Sequence, residues 1–288
     1  MKIMTILFSA LGLLLLALII GKINLSIKFR KKVKQLFAQS KNISPQQFHK
    51  SHTDSLPEPV QRYFNHILKE GQPYISYARI KHKGQFKADL NKGWMNIKGE
   101  QYATTAKPGF IWKGTTAVFI AQDLYIGDKG RLVVSLLSLI NVINAHGVQY
   151  NQGELLRWLG ESVLYPTNFL PSDKLEWFPI DDKTAKLTFN YKGLSLFFKI
   201  TFNDNGEITE METKRYMDIK SLETWVIKVA DYKELNKVLI PTRFEVLWRL
   251  EKGDFSYAKF EITEIEYDKP EIFESNAGIP SKRTTPVK

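Results

Sequence analysis

Three ionisable side chains stand among apolar neighbours in the segment GELLRWLGESVLYPTNFLP: Glu154, Arg157 and Glu161. Spacings of three and four place them on one face of a helix. Two carboxylates oriented by a guanidinium are the equipment of general acid and base catalysis. Their starting points lie ~10.5 Å apart along the axis at ~1.5 Å per residue. Glycosidase carboxylates sit ~5 to 9.5 Å apart, so these long side chains would have to converge. The same residues could instead tie the helix to a neighbouring sheet by salt bridges, since ion-pair networks share this pattern.

Other candidates bind rather than react. Asp123 and Tyr125, in AQDLYIGDKG, share one face of a strand beside a turn, and Arg215 shares a face with Thr209, Met211 and Thr213. Each could meet a polar head group or sit in an ordinary salt bridge. All six tryptophans lie beyond residue 90. Trp112, Trp158, Trp177, Trp225 and Trp248, with Tyr125, are the residues expected to line a pocket for an acyl chain or other hydrophobic ligand. Bulky aromatics also fill the core of a large sheet, which is the competing reading.

Several chemistries lack their residues. Cysteine is absent, which removes disulfides, thiol nucleophiles and Cys-based zinc sites. His49 and His52 are spaced H-x-x-H but sit in a polar stretch, and His66, His82 and His146 are scattered, so no metal is expected. In GFIWKGTT, Gly109 and Gly114 have phosphate-loop spacing, yet Thr115 stands where the motif needs lysine. There is no GxSxG elbow and no cofactor motif.

The net charge of +11 is unevenly spread. No acid precedes Asp54, while residues 54–280 hold 29 of the 41 cations against all 30 acids. A near-neutral globular part excludes a nucleic-acid-binding domain, which needs its basic surface on the fold.

The elements that would position these residues follow from periodicity. Ile3 to Gly21 is an uncharged apolar run. At ~1.5 Å per residue it spans about 28 Å, enough for one transmembrane helix. A cleaved signal peptide is the competing reading, favoured by the basic start at Lys2, but no small-x-small cleavage site follows the run. The cations from Lys22 to Lys34 outnumber those before the run, and the positive-inside rule then puts the following domain in the cytoplasm. Leu25, Phe29, Val33, Leu36 and Phe37 recur at helical spacing, as for a helix lying on anionic membrane lipids; a solvated flank is the alternative. The expected organisation is an anchor at 1–21, a basic juxtamembrane segment and linker at 22–55, a globular domain at 56–274 and a mobile tail at 275–288.

LPEPVQRYFNHIL, Leu56 to Leu68, predicts a helix docked on the domain. From Tyr74 onward the period is two, clearest at Leu187, Phe189, Tyr191 and again at Leu194, Leu196, Phe198, Ile200 and Phe202. About ten such strands joined by short turns predict an α+β domain built on one curved, mainly antiparallel, half-barrel-like sheet. A long apolar stretch, Leu132 to Ile143, and a helix over Glu154 to Leu164 form an insertion expected to cover the concave side.

LPEPVQRYFNHIL, GFIWKG, DLYIGDKG, GELLRWLGE and IPTRFEVLW together resemble an uncharacterised family of bacterial membrane-anchored proteins with LPxPVxRY and GExxRxLxE segments. The strand order with a helical insertion is more distantly similar to the LolA/LolB-like lipoprotein carriers. That similarity implies a concave face that accepts acyl chains, and action outside the cytoplasmic membrane, opposite to the charge-based side. The leading expectation is a membrane-tethered, non-catalytic binding module for a lipid or other hydrophobic ligand. The alternatives are an enzyme using Glu154, Arg157 and Glu161, or an assembly partner at the membrane.

Overall fold

The computed structural model describes residues 2–274; the expected tail at 275–288 lies outside the described residues. A 37-residue helix, α1 (Lys2–Ala38), leads to α2 (Glu58–Ile67). Six strands follow: β1 (Tyr77–Phe86), β2 (Met95–Thr104), β3 (Gly109–Thr115), β4 (Phe119–Ile126), β5 (Lys129–Leu136) and β6 (Ile140–His146). The insertion is α3 (Val148–Gly160) with two 3-10 turns, Glu161–Leu164 and Pro166–Phe169. Seven more strands follow within the described residues: β7 (Leu175–Asp181), β8 (Thr184–Tyr191), β9 (Leu194–Phe202), β10 (Ile208–Tyr216), β11 (Leu222–Leu235), β12 (Val238–Leu250) and β13 (Gly253–Tyr267).

All 13 strands form one antiparallel sheet in the order β6-β5-β4-β3-β2-β1-β13-β12-β11-β10-β9-β8-β7. Each neighbour is a hairpin partner except β1 and β13, which join the two ends of the domain at the sheet's centre. The sheet exceeds the predicted ten strands by β5, β6 and β7. The apolar stretch Leu132 to Ile143 is the β5–β6 hairpin, because a short apolar run carries no period that separates strand from helix.

Twist curls a sheet of this width, and here the two wings meet. The Tyr191 hydroxyl at the end of β8 donates to Asp128, in the β4–β5 turn, at 2.9 Å. The inner face is the main core, in which Leu187, Phe198, Ile200 and Phe202 are fully buried. The helix predicted from LPEPVQRYFNHIL buries Val60, Tyr63, Phe64 and Ile67 in that core, with Phe64 edge-on to Trp177.

The juxtamembrane segment corrects the sequence reading. α1 runs unbroken to Ala38, and Phe29, Val33, Leu36 and Phe37 pack neither on lipid nor in water but on the outer face of the sheet. They meet Tyr77, Tyr102, Ile111, Leu124 and Phe273 in a second core. The Lys113 ammonium lies 4.3 Å from the centre of the Phe29 ring, and Lys32 reaches Gln122 at 3.2 Å. Helical spacing identifies an apolar stripe but not what covers it. The first half of α1 is exposed, and its length and composition suffice to cross a membrane.

Val33 is completely buried in this outer core, so Val33→Asp would leave a charge among aromatic rings. Hydrogen exchange on the full chain should then show α1 beyond Lys28 and the backbone around Tyr102 and Ile111 losing protection together. Unchanged protection would mean that the helix is not held by this face.

Candidate functional site

α3 lies across the open side of the curled sheet, and the sequence-predicted ionisable residues are the fastening. Arg157 is central. Its Nε donates to Glu161 Oε1 at 2.8 Å, one Nη donates to the Asp123 carboxylate on β4, and the other reaches Gln101 Oε1 on β2 at 3.3 Å. Gln101 closes the ring by donating to Glu161 Oε2 at 2.6 Å. Below this plane the guanidinium sits 4.8 Å over Trp112 and 5.1 Å over Phe110. Glu154 does not join Arg157. It turns to Arg215 on β10, at 3.5 Å, and Arg215 stacks 4.4 Å over Trp225.

β4 and β10 are separated by six strands in the sheet. α3 therefore connects the two wings through two polar contacts, Arg157 with Asp123 and Glu154 with Arg215. The salt-bridge alternative weighed for Glu154, Arg157 and Glu161 describes these contacts, with Asp123 and Arg215 as the partners. Gln101 and His82 had no sequence signal, because their partners are more than 20 residues away and share no motif with them.

His82 extends the cluster. Trp112 Nε1 can only donate, and it does so to His82 Nε2 at 2.7 Å, which places the imidazole proton on Nδ1. That atom is buried and has no partner. Burial, aided by the Arg157 charge, lowers the His82 pKa to about 3, so the ring is neutral. Glycines make the space. A Cβ at Gly99 would lie 1.8 Å from His82 Nε2, and one at Gly114 would lie 2.2 Å from the Trp112 ring. Strands β2 and β3 accept these two flat side chains only because both positions lack a side chain.

The charges do not balance if all ionise: Asp123, Glu154 and Glu161 face Arg157 and Arg215. Burial, reinforced by Asp123, raises the Glu154 pKa to about 8, with Arg215 and Arg157 offsetting only part of the shift. Asp123 is also raised by burial, against the pull of Arg157. Burial opposes the charge of Arg157, but Glu161, Asp123 and Glu154 outweigh it and hold the guanidinium protonated. A proton on Glu154 at neutral pH leaves two carboxylates against two guanidiniums. Asp123 Oδ1, Glu154 Oε2 and Arg215 Nε remain without hydrogen-bond partners.

The predicted ligand-lining aromatics are all interior. Trp112, Tyr125, Trp158, Trp177, Trp225 and Trp248 are each at most 7% exposed. Several of their polar atoms are spent on the fold: Trp158 Nε1 donates to Thr104 O at 2.8 Å, Trp177 Nε1 to Phe169 O at 2.9 Å and Trp225 Nε1 to Tyr257 Oη at 3.0 Å. They fill the space between α3 and the sheet. A crevice of about 190 Å³ beside Trp158 and Phe189 adjoins the 3-10 turns.

The larger hollow, about 950 Å³, crosses six strands and takes three consecutive residues at each, 96–98, 83–85, 259–261, 243–245 and 228–230 from within strands and 115–117 from the end of β3 and the turn after it. Middle residues Ile97, Phe244 and Val229 are buried in the inner core. The flanking residues form two rows in register on the other face. One row includes Lys98, Lys83, Glu261 and Arg243, the other Gln85, Lys259, Glu245 and Lys228. The hollow is thus an outer-face trough with five cations and two carboxylates, where Lys83 pairs with Glu261 at 3.2 Å and Lys259 with Glu245 at 3.4 Å. Alternating sequence foretold two faces, but not that the outer one is hollow.

A curled antiparallel sheet with a helix clipped across its open side is the class of protein these features define. Residues 46–260 match the family of unknown function DUF6544, and the chain belongs to that family. No curated protein matches it. Among solved structures, a LolA superfamily protein from Nitrosomonas europaea is 12% identical with a TM-score of 0.40, covering 72% of this chain and 91% of that one. A DUF1329 family protein from Desulfovibrio piger is 10% identical with a TM-score of 0.34, covering 83% and 93%.

Two outcomes test the fastening. Arg157→Ala would leave the largely buried Asp123 and Glu161 carboxylates without their shared cation, and unfolding measurements should show a loss of about 2–3 kcal/mol, less than the ~3–5 of a fully buried pair. Glu154 gives a pH signature. Its native carboxyl holds a proton up to about 8 and its unfolded one only to the ordinary 4.5. Between those values the native state binds more protons, so stability falls as pH rises. Glu154→Gln should flatten the decline between pH 5 and 8; an unaltered slope would place the proton elsewhere.

Proposed function

We propose that the chain is a membrane-tethered, non-catalytic binding module for an anionic lipid or similar amphiphile, held in the outer trough. The observation that carries this reading is the trough itself. Its volume of about 950 Å³ is at the upper end of the ~300–1,000 Å³ range of ligand pockets. Its walls offer the aliphatic stems of Lys83, Lys98, Lys228, Arg243 and Lys259 to a chain. Lys83, Arg243 and Lys259 are paired with Glu261, Asp231 and Glu245, while Lys98 and Lys228 make no ion pair among the described residues and are the cations most open to an anionic head group.

The interior is less suited to a ligand, because the aromatics between α3 and the sheet fill it. Catalysis by Glu154, Arg157 and Glu161 is disfavoured for a related reason: each is tied to a partner within the fold, Arg157 to Glu161 and Asp123 and Glu154 to Arg215, with Glu154 only 3% exposed. Tethering is supported by α1, whose apolar half continues without a break into the docked half. A domain held by a docked helix keeps one orientation to the bilayer. The excess of cations after the apolar run supports the cytoplasmic side.

The trough also starts at a suitable place. Its first triplet, 115–117, precedes Val118, whose carbonyl accepts from Leu137 N in the β5–β6 turn at 2.9 Å. That turn touches α1 at the end of the apolar run. An amphiphile leaving a membrane beside α1 would meet this end first.

Titration of the full chain in nanodiscs with a dansyl-labelled fatty acid tests the proposal. Saturable binding is expected, and Lys228→Glu with Arg243→Glu should weaken it about tenfold, equivalent to ~1.4 kcal/mol. Absence of binding, or binding indifferent to these reversals, would remove the trough as the site.

A further inference from the structure

We propose that the β5–β6 hairpin is a second membrane contact, its tip resting in the interfacial layer of the bilayer that α1 crosses. The inference rests on the reading of α1 as a membrane span. It concerns a different surface from the trough.

The position of the hairpin is fixed by Gly21, the last residue of the apolar run. A Cβ there would lie 2.6 Å from Ser138 O and 2.9 Å from Leu139 Cδ2, so helix and turn touch directly. Leu18, Gly21 and Leu25, spaced three and four apart, are half-buried, whereas the rest of the run is exposed. Leu18 lies three residues inside the run, ~4.5 Å toward the bilayer centre at ~1.5 Å per residue. The turn is thus level with the end of the span.

Its surface suits that position. Leu136, Leu137, Leu139 and Ile140 are 41%, 49%, 44% and 63% exposed, and Val118 on the neighbouring turn is 48% exposed. No charged residue occurs from Leu132 to Ala145. Edge strands that face water usually carry charges or prolines that prevent pairing with other chains, and β6 carries neither. The turn itself places Leu137 at φ 49° and Ser138 at φ 63°, a left-handed pair for which Asn-Gly is favoured. An unfavourable apolar residue is therefore kept at the tip.

Depth is limited by the backbone. β6 is an edge strand among the described residues, and unpaired amides do not survive in hydrocarbon. Asn141 and Asn144 also break the apolar surface. The tip reaches the boundary of head groups and acyl chains, and the strand does not go beyond it. Exposed Lys22, Lys28, Arg30, Lys31 and Lys34 follow on α1, where anionic head groups would lie. Pairing of β6 with a second copy would leave Leu137, Leu139 and Val118 in water, because they lie at the tip and not along the edge.

The lack of cysteine permits single-site labelling of the full chain. Leu139→Cys, Leu14→Cys and Asn205→Cys would each carry an NBD dye in vesicles of phosphatidylcholine and phosphatidylglycerol containing doxyl-labelled lipids. The dye at 139 should emit blue-shifted light and lose most of it to doxyl groups near the head group. The dye at 14 should be quenched by doxyl groups near the chain end, and the dye at 205, on a turn against α2, by neither. Water-like emission at 139 with quenching at 14 would overturn the hairpin contact while leaving the anchor intact. A blue shift at 139 without lipid quenching would mean that protein covers the tip, and would also overturn it. Absence of quenching at 14 would overturn the anchor and the hairpin contact together.

Discussion

An open sheet of 13 strands has one large apolar face and no partner sheet to cover it, and the contacts of Arg157 and Arg215 resolve that difficulty. Curling brings the wings near each other, but nothing in a single layer of strands sets how far they close. α3 sets it. One of its ends is fixed through Glu154 to β10 and the other through Arg157 to β2 and β4, so the length of α3 between these two contacts limits how far the curl opens. Hydrophobic packing under α3 supplies most of the stability, whereas the charged groups determine which packing is adopted. A buried ionic cluster adds little net stability over apolar residues of the same shape, and its distinctive effect is a strong penalty for any arrangement that separates the partners.

The sequence made the ingredients visible but not their pairing. Glu154, Arg157 and Glu161 were legible as one face of a helix because local spacing determines helical faces. Asp123 and Arg215 stood out as charges on otherwise half-buried strands. Gln101 and His82 did not, since a lone polar residue on a strand looks alike whether it meets solvent or a neighbour 60 residues away. Similarly, Phe29, Val33 and Leu36 announced an apolar stripe beside a membrane span, and lipid was the nearest available cover. The cover is the outer face of β2, β3 and β4, which a reading of α1 alone could not reveal. The strand count fell short where period two faded, at β5, β6 and the short β7.

Docking of α1 has consequences beyond stability. A span joined to its domain by a flexible linker would leave the domain free to tumble above the bilayer. Here the chain runs from Gly21, at the β5–β6 turn, along α1 to Gln39 just past its end, whose side chain lies beside Gly127 in the β4–β5 turn. Those 18 residues cover about 27 Å at ~1.5 Å per residue, close to the ~26 Å of an eight-residue strand, so α1 and the β4–β5 wing run side by side. If α1 crosses a membrane, this wing stands along the membrane normal and the β5–β6 turn faces the lipid.

In the proposed reading, fixed orientation is also what suits an outer-face trough to take up a ligand beside a membrane. The trough crosses the strands instead of following them, with its first triplet adjacent to the β5–β6 turn and its last on β11, five strands away. An amphiphile could thus keep its head group on successive lysines while its chain leaves the bilayer. An interior cavity would demand opening α3, with the Arg157–Asp123 and Glu154–Arg215 contacts separated for each ligand bound. The ionic clip and the open trough are therefore complementary: the fold keeps its inner face permanently closed and offers the outer one.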